Sequence, residues 1–485
     1  MAKTEGPLVV HVLPALRFGG FETLARALIA GGPSGLRSVV VCTDLAEHVR
    51  DMAPVFEDDG VEVVYMQYDP VNEAACVDSL AGFFTQRLPV GMIVYRFGDQ
   101  RWVARAAERA SVFNLVSHVG TMPLPAQIPY IRSICEDPTL SHIPIHFCSR
   151  AVETAYRRFC WPPSGSQTVY NGLDVRAFSR EVTWAQDDGP SPSIPVRREG
   201  TKNVIGMVGR VVDSKDHRTL LRGFRYLLDL GVRDTDLWII GNGELLESTK
   251  QYALGVLELG DSVKFLGGRG DIPQLLAQLD VFAFSALPIE GLGNALVEAL
   301  AAGLPIVATD APACCEVLGT HAGRFVPCGD WRVMGYALRE VLSNGDERAR
   351  LRAAACERRW IFDIKHCADA YYGKLLAEPP AGRGRIVRSP ALLEPDPSLG
   401  AWCRTGVDFP ATCDRCGEMG MVIGFESVCR SRPARNVSLL QPHLTASGAE
   451  CVGYQITHVQ PALFESGLLS LTYAVRDLPD RGASA

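Results

Sequence analysis

The sequence predicts two consecutive α/β domains, each built on a parallel sheet, facing one another across a cleft, with a small mostly-β part at the C-terminal end. Three observations predict this. Short apolar runs alternate with amphipathic stretches over residues 1–183, and the same texture returns over 203–361. Strands alternating with helices mean βαβ units and parallel sheets. Between the two blocks, residues 184–202 (WAQDDGPSPSIPVRREGTK) are rich in Pro, Ser, Gly and charge, the composition of a linker or inserted loop. A third change of texture follows at 378–400, a Pro/Gly-rich connector. Beyond it, over 401–485, short strand-like pieces alternate with turn-rich stretches.

Taken in order, the first block offers strands at Leu8–Leu13, Ser38–Cys42, Val61–Met66, Gly91–Tyr95, Phe113–His118 and Ile145–Cys148. Amphipathic stretches fall between them at Glu22–Ala30, Val71–Leu88 and Arg101–Ala110. In the second block the strands are Val204–Val208, Leu237–Ile240, Val263–Leu266, Val281–Phe284, Ile306–Ala308 and Arg324–Val326. Its helices are Lys215–Leu230, Glu244–Glu258, Ile272–Leu279, Ala295–Ala302, Trp331–Leu342 and Glu347–Trp360, with a last helix at His366–Ala377. In the tail, Met421–Phe425, Cys451–Thr457 and Leu468–Val475 read as strands.

Composition narrows the function classes. The chain has 485 residues, with 47% apolar and 21% charged, an ordinary globular balance. A net charge of −7 argues against general nucleic-acid binding, which needs a basic footprint. No apolar run reaches the length of about 18 residues that a membrane helix requires. The start has Glu5, His11 and Arg17 in or near its apolar part, so it reads as a first strand and not as a signal peptide. The expected location is therefore the cytoplasm, with peripheral contact at the inner face of a membrane left open. The 15 cysteines are scattered through apparent strands and helices; most are expected to be reduced, small core residues.

The chemistry-bearing stretch is Ser285–Asp310, SALPIEGLGNALVEALAAGLPIVATD. Gly291 and Gly293 allow a tight turn that leaves backbone N–H groups uncovered. A helix from about Ala295 points its positive end at that turn, a ready anion site. Glu298 sits among apolar neighbours, where a carboxylate needs a partner. A diol such as a ribose supplies two hydroxyl donors for it. With Glu290 just before the helix, the pair forms a clamp suited to a sugar nucleotide. Upstream, Gly206-Met-Val-Gly209-Arg210 and then Asp213-Ser-Lys215 follow the second block's first strand. Arg210 and Lys215 leave that strand end together and suit a diphosphate, the one as a fork and the other as a point charge.

Glu290 and Glu298, with seven residues between them in P-x-E-G-L-G-N-A-L-V-E-A-L-A-A-G-L-P-I-V-A-T-D, resemble the signature of glycosyltransferase family 4. These are retaining, metal-independent, nucleotide-sugar enzymes of the GT-B fold, two Rossmann-like domains across a cleft. The resemblance covers roughly Leu8–Ala377. It implies that residues 1–183 form the acceptor-side domain and 203–361 the donor-side domain. It also implies that a closing helix over 362–377 returns to the first domain. The implied reaction moves a sugar from a nucleoside diphosphate sugar to an acceptor hydroxyl, with no further cofactor. Glu290, Arg210, Lys215 and His118 would carry the chemistry, while Gly19, Gly20, Gly241, Gly291, Leu292, Gly293, Asn294 and Glu298 would bind the donor. The acceptor would be a carbohydrate, a lipid-linked or a small-molecule hydroxyl compound.

Other motifs are read with the resemblance beside them. Phe18-Gly19-Gly20-Phe21-Glu22 resembles the family's Gly-Gly-x-Glu loop; a plain strand-to-helix turn is the other reading. His118 ends an apolar strand, where the family has a histidine that reaches the donor sugar; a satisfied histidine is the alternative. Ser149, Tyr170-Asn-Gly-Leu-Asp174, Gly241-Asn-Gly243-Glu244 and Phe265-Leu-Gly-Gly268 mark helix or strand ends and turns. After the central motif, Asp310-Ala-Pro-Ala-Cys-Cys-Glu316 lacks the family's Gly-Gly pair. Arg101, Arg105 and Arg109 form a helical stripe that reads as a solvated face, or as a surface for an anionic membrane or acceptor. Cys413-Asp-Arg-Cys416, with Cys403 and Cys429, has metal-knuckle spacing, but the outer spacings are not a standard zinc set and free thiols are expected. Two rival readings remain: a non-catalytic sugar-nucleotide binder or scaffold of the same fold, and a nucleotide-sugar epimerase or phosphorylase.

Overall fold

Buried parallel strands need apolar side chains on both faces, and the central strands of this chain read that way. Leu8–Leu13 (LVVHVL) and Thr235–Ile240 (TDLWII) are buried along their whole length. The computed structural model describes residues 6–44, 50–179 and 198–377, together with the backbone of seven strands between 402 and 476. Contacts divide the chain into two compact units, Met1–Pro379 and Pro380–Ala485.

The first unit holds two parallel sheets. In the first sheet the strands are β1 (Leu8–Leu13), β2 (Arg37–Cys42), β3 (Glu62–Tyr65), β4 (Gly91–Val94), β5 (Leu115–Val119), β6 (Ile145–Phe147) and β7 (Gln167–Thr168). Their order is β3-β2-β1-β4-β5-β6-β7. The second sheet contains β8 (Asn203–Val208), β9 (Thr235–Ile240), β10 (Val263–Gly267), β11 (Val281–Phe284), β12 (Ile306–Thr309) and β13 (Arg324–Val326), in the order β10-β9-β8-β11-β12-β13. Both are doubly wound, and the strand order reverses between β1 and β4 and between β8 and β11. Ligands of such sheets sit at that reversal, beyond the strands' carboxyl ends.

All twelve expected strands of the first unit are present, with ends shifted by at most two residues. The short β7 and the helices Ala53–Asp58, Ile128–Cys135, Arg150–Arg157 and Pro312–Leu318 were not expected. These helices are six to eight residues long, too short for a clear 3.6-residue period. The expected Glu244–Glu258 helix is an α-helix at Leu246–Gln251 that widens into a π turn at Tyr252–Val256.

The final helix, Ile364–Leu375, packs on the first sheet. Cys367, Tyr371, Tyr372 and Leu375 join Val9, Leu13, Leu28 and Val116 in one buried cluster. The Tyr372 hydroxyl donates to the Leu28 carbonyl at 2.8 Å, and the Tyr371 hydroxyl shares a hydrogen bond of 2.7 Å with His118 Nδ1. Leu173 N donates to Phe362 O at 3.0 Å, and Ile364 N to Leu173 O at 2.8 Å, which fixes the chain's return.

The second unit contains a five-stranded antiparallel sheet, in the order Trp402–Thr412, Met419–Ser427, Asn436–Leu440, Gln455–Ile456, Val475–Arg476, and a two-stranded pair, His443–Leu444 with Glu450–Cys451. The connector expected at 378–400, most of that at 184–202, and Cys413, Cys416 and Cys429 lie outside the described residues. Cys403 lies on the strand Trp402–Thr412, of which only the backbone is described.

Replacing Tyr371 by Phe strands a buried imidazole nitrogen. The expected loss of about 1–3 kcal/mol lowers the melting temperature by roughly 2–8 °C in calorimetry. An unchanged melting temperature would show that the Tyr371–His118 bond does not anchor the helix.

Candidate functional site between the two sheets

The two loops at the reversal of the second sheet are bolted together. After β8, the turn Asp213–Lys215 leads to Asp216, whose left-handed backbone (φ 39°) starts the helix His217–Asp229. The Asp216 carboxylate caps that helix by accepting from Thr219 N at 3.3 Å. The loop after β11 crosses here. Ser285 Oγ donates to the Lys215 and Asp216 carbonyls at 3.3 and 3.0 Å, and Leu287 N to Ser214 O at 2.9 Å.

This bolting delivers the charged groups. Lys215 Nζ lies 2.7 Å from Glu290 Oε2, and the two side chains are only 15% and 11% exposed. The same ammonium sits 4.8 Å above the Phe284 ring. Gly293, at φ 81°, turns the chain into the helix Asn294–Ala301. At that end the N–H groups of residues 291–295 have no protein acceptor among the described residues. Such a row of free amides, with the helix dipole behind it, favours an anion. One turn further in, Glu298 is 8% exposed. Burial pushes its carboxyl up to about 7, against the pull of Lys215. The carboxyl makes no hydrogen bond among the described residues, so its acceptor sites have no donor from the protein.

The first sheet supplies the facing wall. Gly19 begins the helix Gly20–Ala30, and the Glu22 side chain folds back on that loop: a Cβ on Gly19 would stand 2.7 Å from Glu22 Oε2. Burial raises the Glu22 carboxyl to about 7, while the loop's own N–H groups and the charges of Arg17 and Arg210 pull it down. Arg210 is half-exposed and pairs with Glu244 at 3.2 Å. Gly241, at φ 145°, packs so closely that a Cβ would stand 2.0 Å from the Gly209 carbonyl oxygen.

Side-chain and backbone contacts join the walls. Asn294 Nδ2 donates to Gly20 O at 3.2 Å, and Asn294 Oδ1 accepts from Asn171 Nδ2 at 2.9 Å. Ser149 Oγ donates to Gly291 O at 2.6 Å. A Cβ at Gly291 would stand 2.1 Å from the Gly120 carbonyl oxygen, so the glycine is needed for the close approach. Glu316, from the helix Pro312–Leu318, accepts from Arg150 N at 2.7 Å and Ala151 N at 2.9 Å. It thereby caps the helix Arg150–Arg157 of the opposite domain. The Arg358 guanidinium steadies the segment by donating to the Glu316 carbonyl at 2.7 Å.

The structure thus brings together Lys215, Glu290, Glu298 and the turn Gly291–Asn294, with Gly19, Gly20, Arg210 and Gly241 around them. Leu292 is buried, so it contributes through its backbone. His118 is placed differently: it has no exposed surface. Burial lowers its imidazole to about 3, with His146 adding to the effect, and Nδ1 is taken by Tyr371. It is neutral, and its Nε2 lies under Gly120, where a Cβ would approach it to 3.0 Å. In this arrangement it supports the wall without lining it. The arginine stripe is spent on ion pairs: Arg101 with Asp137 at 3.5 Å, Arg105 with Glu73 at 2.5 Å, and Arg109 with Asp78. No group of three or more metal-ligating side chains occurs among the described residues, and none of their helices is long and apolar enough to cross a membrane.

Sequence reasoning missed the Glu316 cap. It flagged that stretch only for its missing glycines. A contact between residues 166 apart leaves no local signal.

Residues 194–358 match the family model for glycosyl transferases, group 1. The match supports a glycosyltransferase of the kind that the Glu290–Glu298 motif resembles. Among curated proteins, the GDP-mannose-dependent alpha-(1-6)-phosphatidylinositol monomannoside mannosyltransferase of Mycolicibacterium smegmatis is 29% identical over 276 residues, which is 53% of this chain and 67% of that one. The phosphatidyl-myo-inositol mannosyltransferase of the same organism is 32% identical over 219 residues, 44% of this chain and 53% of that one. The chain spans about a third to a half of the length of most of the curated relatives it matches. Among solved structures, Anabaena HepE in complex with UDP and glucose superposes with a TM-score of 0.64 at 17% identity, over 76% of this chain and 99% of that one. The fold is GT-B.

Two predictions follow from this geometry. The Glu298 value lies above the 4.5 of an exposed glutamate, so the folded chain keeps a proton that the unfolded chain has released. Stability from this group is full below about 4.5 and is lost as pH rises through about 7. Glu298→Gln stays neutral throughout. It should raise the melting temperature by roughly 2–6 °C at pH 8, and by less at pH 5. Glu316→Ala uncaps the helix Arg150–Arg157. It should lower stability by about 1–3 kcal/mol and increase the radius of gyration in small-angle scattering.

Proposed function

We propose that this protein is a retaining glycosyltransferase that moves a sugar from a nucleoside diphosphate sugar to an acceptor hydroxyl in glycan, polysaccharide or glycoconjugate biosynthesis. The observation that carries the reading is the grouping of Lys215 and Glu290, 2.7 Å apart, with the buried Glu298 and the free amides of residues 291–295. A binder of anions alone has no use for a carboxyl buried beside its anion site. A nucleoside diphosphate sugar combines a diphosphate with two sets of hydroxyl donors, and this site offers a partner for each.

In this reading the amides and Lys215 hold the diphosphate, with Arg210 joining from the loop's edge. Lys215 has three donors, and Glu290 takes one. Glu290, held in place by that bond, receives the donor sugar's hydroxyls. Glu298 receives the ribose diol, which favours its ionised form. As the sugar–oxygen bond breaks, negative charge grows on the departing phosphate, where fixed donors stabilise it most. The acceptor oxygen then attacks from the same face and passes its proton to that phosphate. No second carboxylate is required as a nucleophile, and no further cofactor is called for. UDP bound to HepE and the GDP-mannose named for the mycobacterial relative support a nucleotide-sugar donor for this chain. The relatives' names support a glycolipid or carbohydrate acceptor.

The test is transfer from a panel of nucleotide sugars, with product configuration read by NMR. Retention at the anomeric carbon is expected; inversion would overturn the mechanism. Lys215→Ala and Glu290→Gln should each lower transfer by about 10²-fold or more. Near wild-type transfer in both would remove this site from the reaction.

A further inference from the structure

The proposed transfer makes no use of the chain's thiols, and among the described residues most of them are isolated. Cys42, Cys148, Cys314 and Cys367 are buried. Cys135 and Cys160 differ. Cys135 ends the helix Ile128–Cys135, and Cys160 follows the helix Arg150–Arg157. Their sulfurs lie 2.9 Å apart, and both residues are partly exposed. Among the described residues they are the only two thiols in contact. The surroundings hold them there: Arg132 Nε donates to the Phe159 carbonyl at 3.1 Å, and Cys160 N to Tyr156 O at 3.1 Å.

We propose that Cys135 and Cys160 form a reversible disulfide, a modification site that responds to small-molecule disulfides. A sulfur–sulfur bond is about 2.0 Å long, so closing it needs a movement of about 0.9 Å along a contact already made. The environment also selects the attacking sulfur. The Cys135 thiol donates to Cys160, and Arg157 and Arg132 add positive charge, which together hold Cys160 below the usual thiol value despite burial and Glu136. The same hydrogen bond, with burial, raises Cys135. The Cys160 thiolate attacks one sulfur of the external disulfide and expels the other half as a thiolate. Cys135 then gives its proton to solvent and attacks Cys160 Sγ, expelling the second half. Two protein thiols are oxidised to one disulfide, and one external disulfide is reduced to two thiols.

The bridge would act on the element that joins the domains. The helix Arg150–Arg157 starts at Ser149, whose hydroxyl holds the Gly291 carbonyl, and its first amides hold Glu316. A disulfide at Cys160 pins the other end of that segment to the helix Ile128–Cys135. Oxidation therefore restrains the piece on which the two walls meet. The thiol chemistry itself is independent of the proposed transfer.

The test uses the full chain, native, with oxidised glutathione. Remaining thiols are then blocked with N-ethylmaleimide, and the digest is read by mass spectrometry. A linked peptide pair containing Cys135 and Cys160, released by dithiothreitol, is expected. Cys135→Ser should trap glutathione on Cys160, whereas Cys160→Ser should leave Cys135 largely alkylated. The oxidised wild type should also melt higher than its reduced form, a shift that both variants lose. Recovery of both cysteines fully alkylated after oxidation would overturn the proposal. So would glutathione retained on wild-type Cys160 without closure.

Discussion

The closeness of two backbones, Gly291 of one domain and Gly120 of the other, is the constraint on which the rest of the first unit depends. No side chain fits between them. Their approach lets Ser149 reach the Gly291 carbonyl and lets Asn294 reach Gly20 and Asn171. The glycine turn is thus held from both sides through carbonyl and side-chain groups. Its N–H groups stay free, and those are the groups an anion needs. A turn held through its amides would have the same shape and no site.

Around that turn, electrostatics oppose stability. Glu298 and Glu22 are carboxyls kept in surroundings that resist their charge, each raised to about 7. Deeper in the first sheet, His11 and His118 are lowered to about 3 and His146 to about 4, all through burial. The carboxyls lose stability as pH rises, and the histidines lose it as pH falls below that of an exposed imidazole. The two sets differ in use. The histidines sit in the packing under the first sheet's closing helix. The carboxyls sit beside the glycine loops that face each other across the two sheets, where the proposed donor's hydroxyls would relieve the cost. A perturbed group marks a candidate site only with further support: the Glu298 carboxyl lacks a protein hydrogen-bond partner, whereas His118 is held by Tyr371.

Polar contacts of precise position join the domains, beside a cluster of buried apolar residues drawn from both. Glu316 reaches across to two amides of a helix start, and Arg358 steadies it from behind. Interfaces of this kind move readily unless they are large and apolar.

Much of this protein could be read along the chain. The strands of both sheets show as apolar runs because strands buried on both faces tolerate little else. The glycine turn and its two carboxylates show as a short, local pattern, and the same holds for Arg210 and Lys215. Local patterns are legible because one element makes them. The short helices Arg150–Arg157 and Pro312–Leu318 were not legible, since eight and seven residues carry too little periodicity. Position across the fold was not legible either. Whether His118 lines the cleft or lies beneath Gly120 depends on a tyrosine 253 residues away. Sequence alone determined the sheets, the turn and the charged groups, because neighbours in the chain decide them. Only the tertiary structure decided that Lys215 meets Glu290, that Glu316 caps the facing domain and that His118 is enclosed, because those contacts arise where distant segments pack.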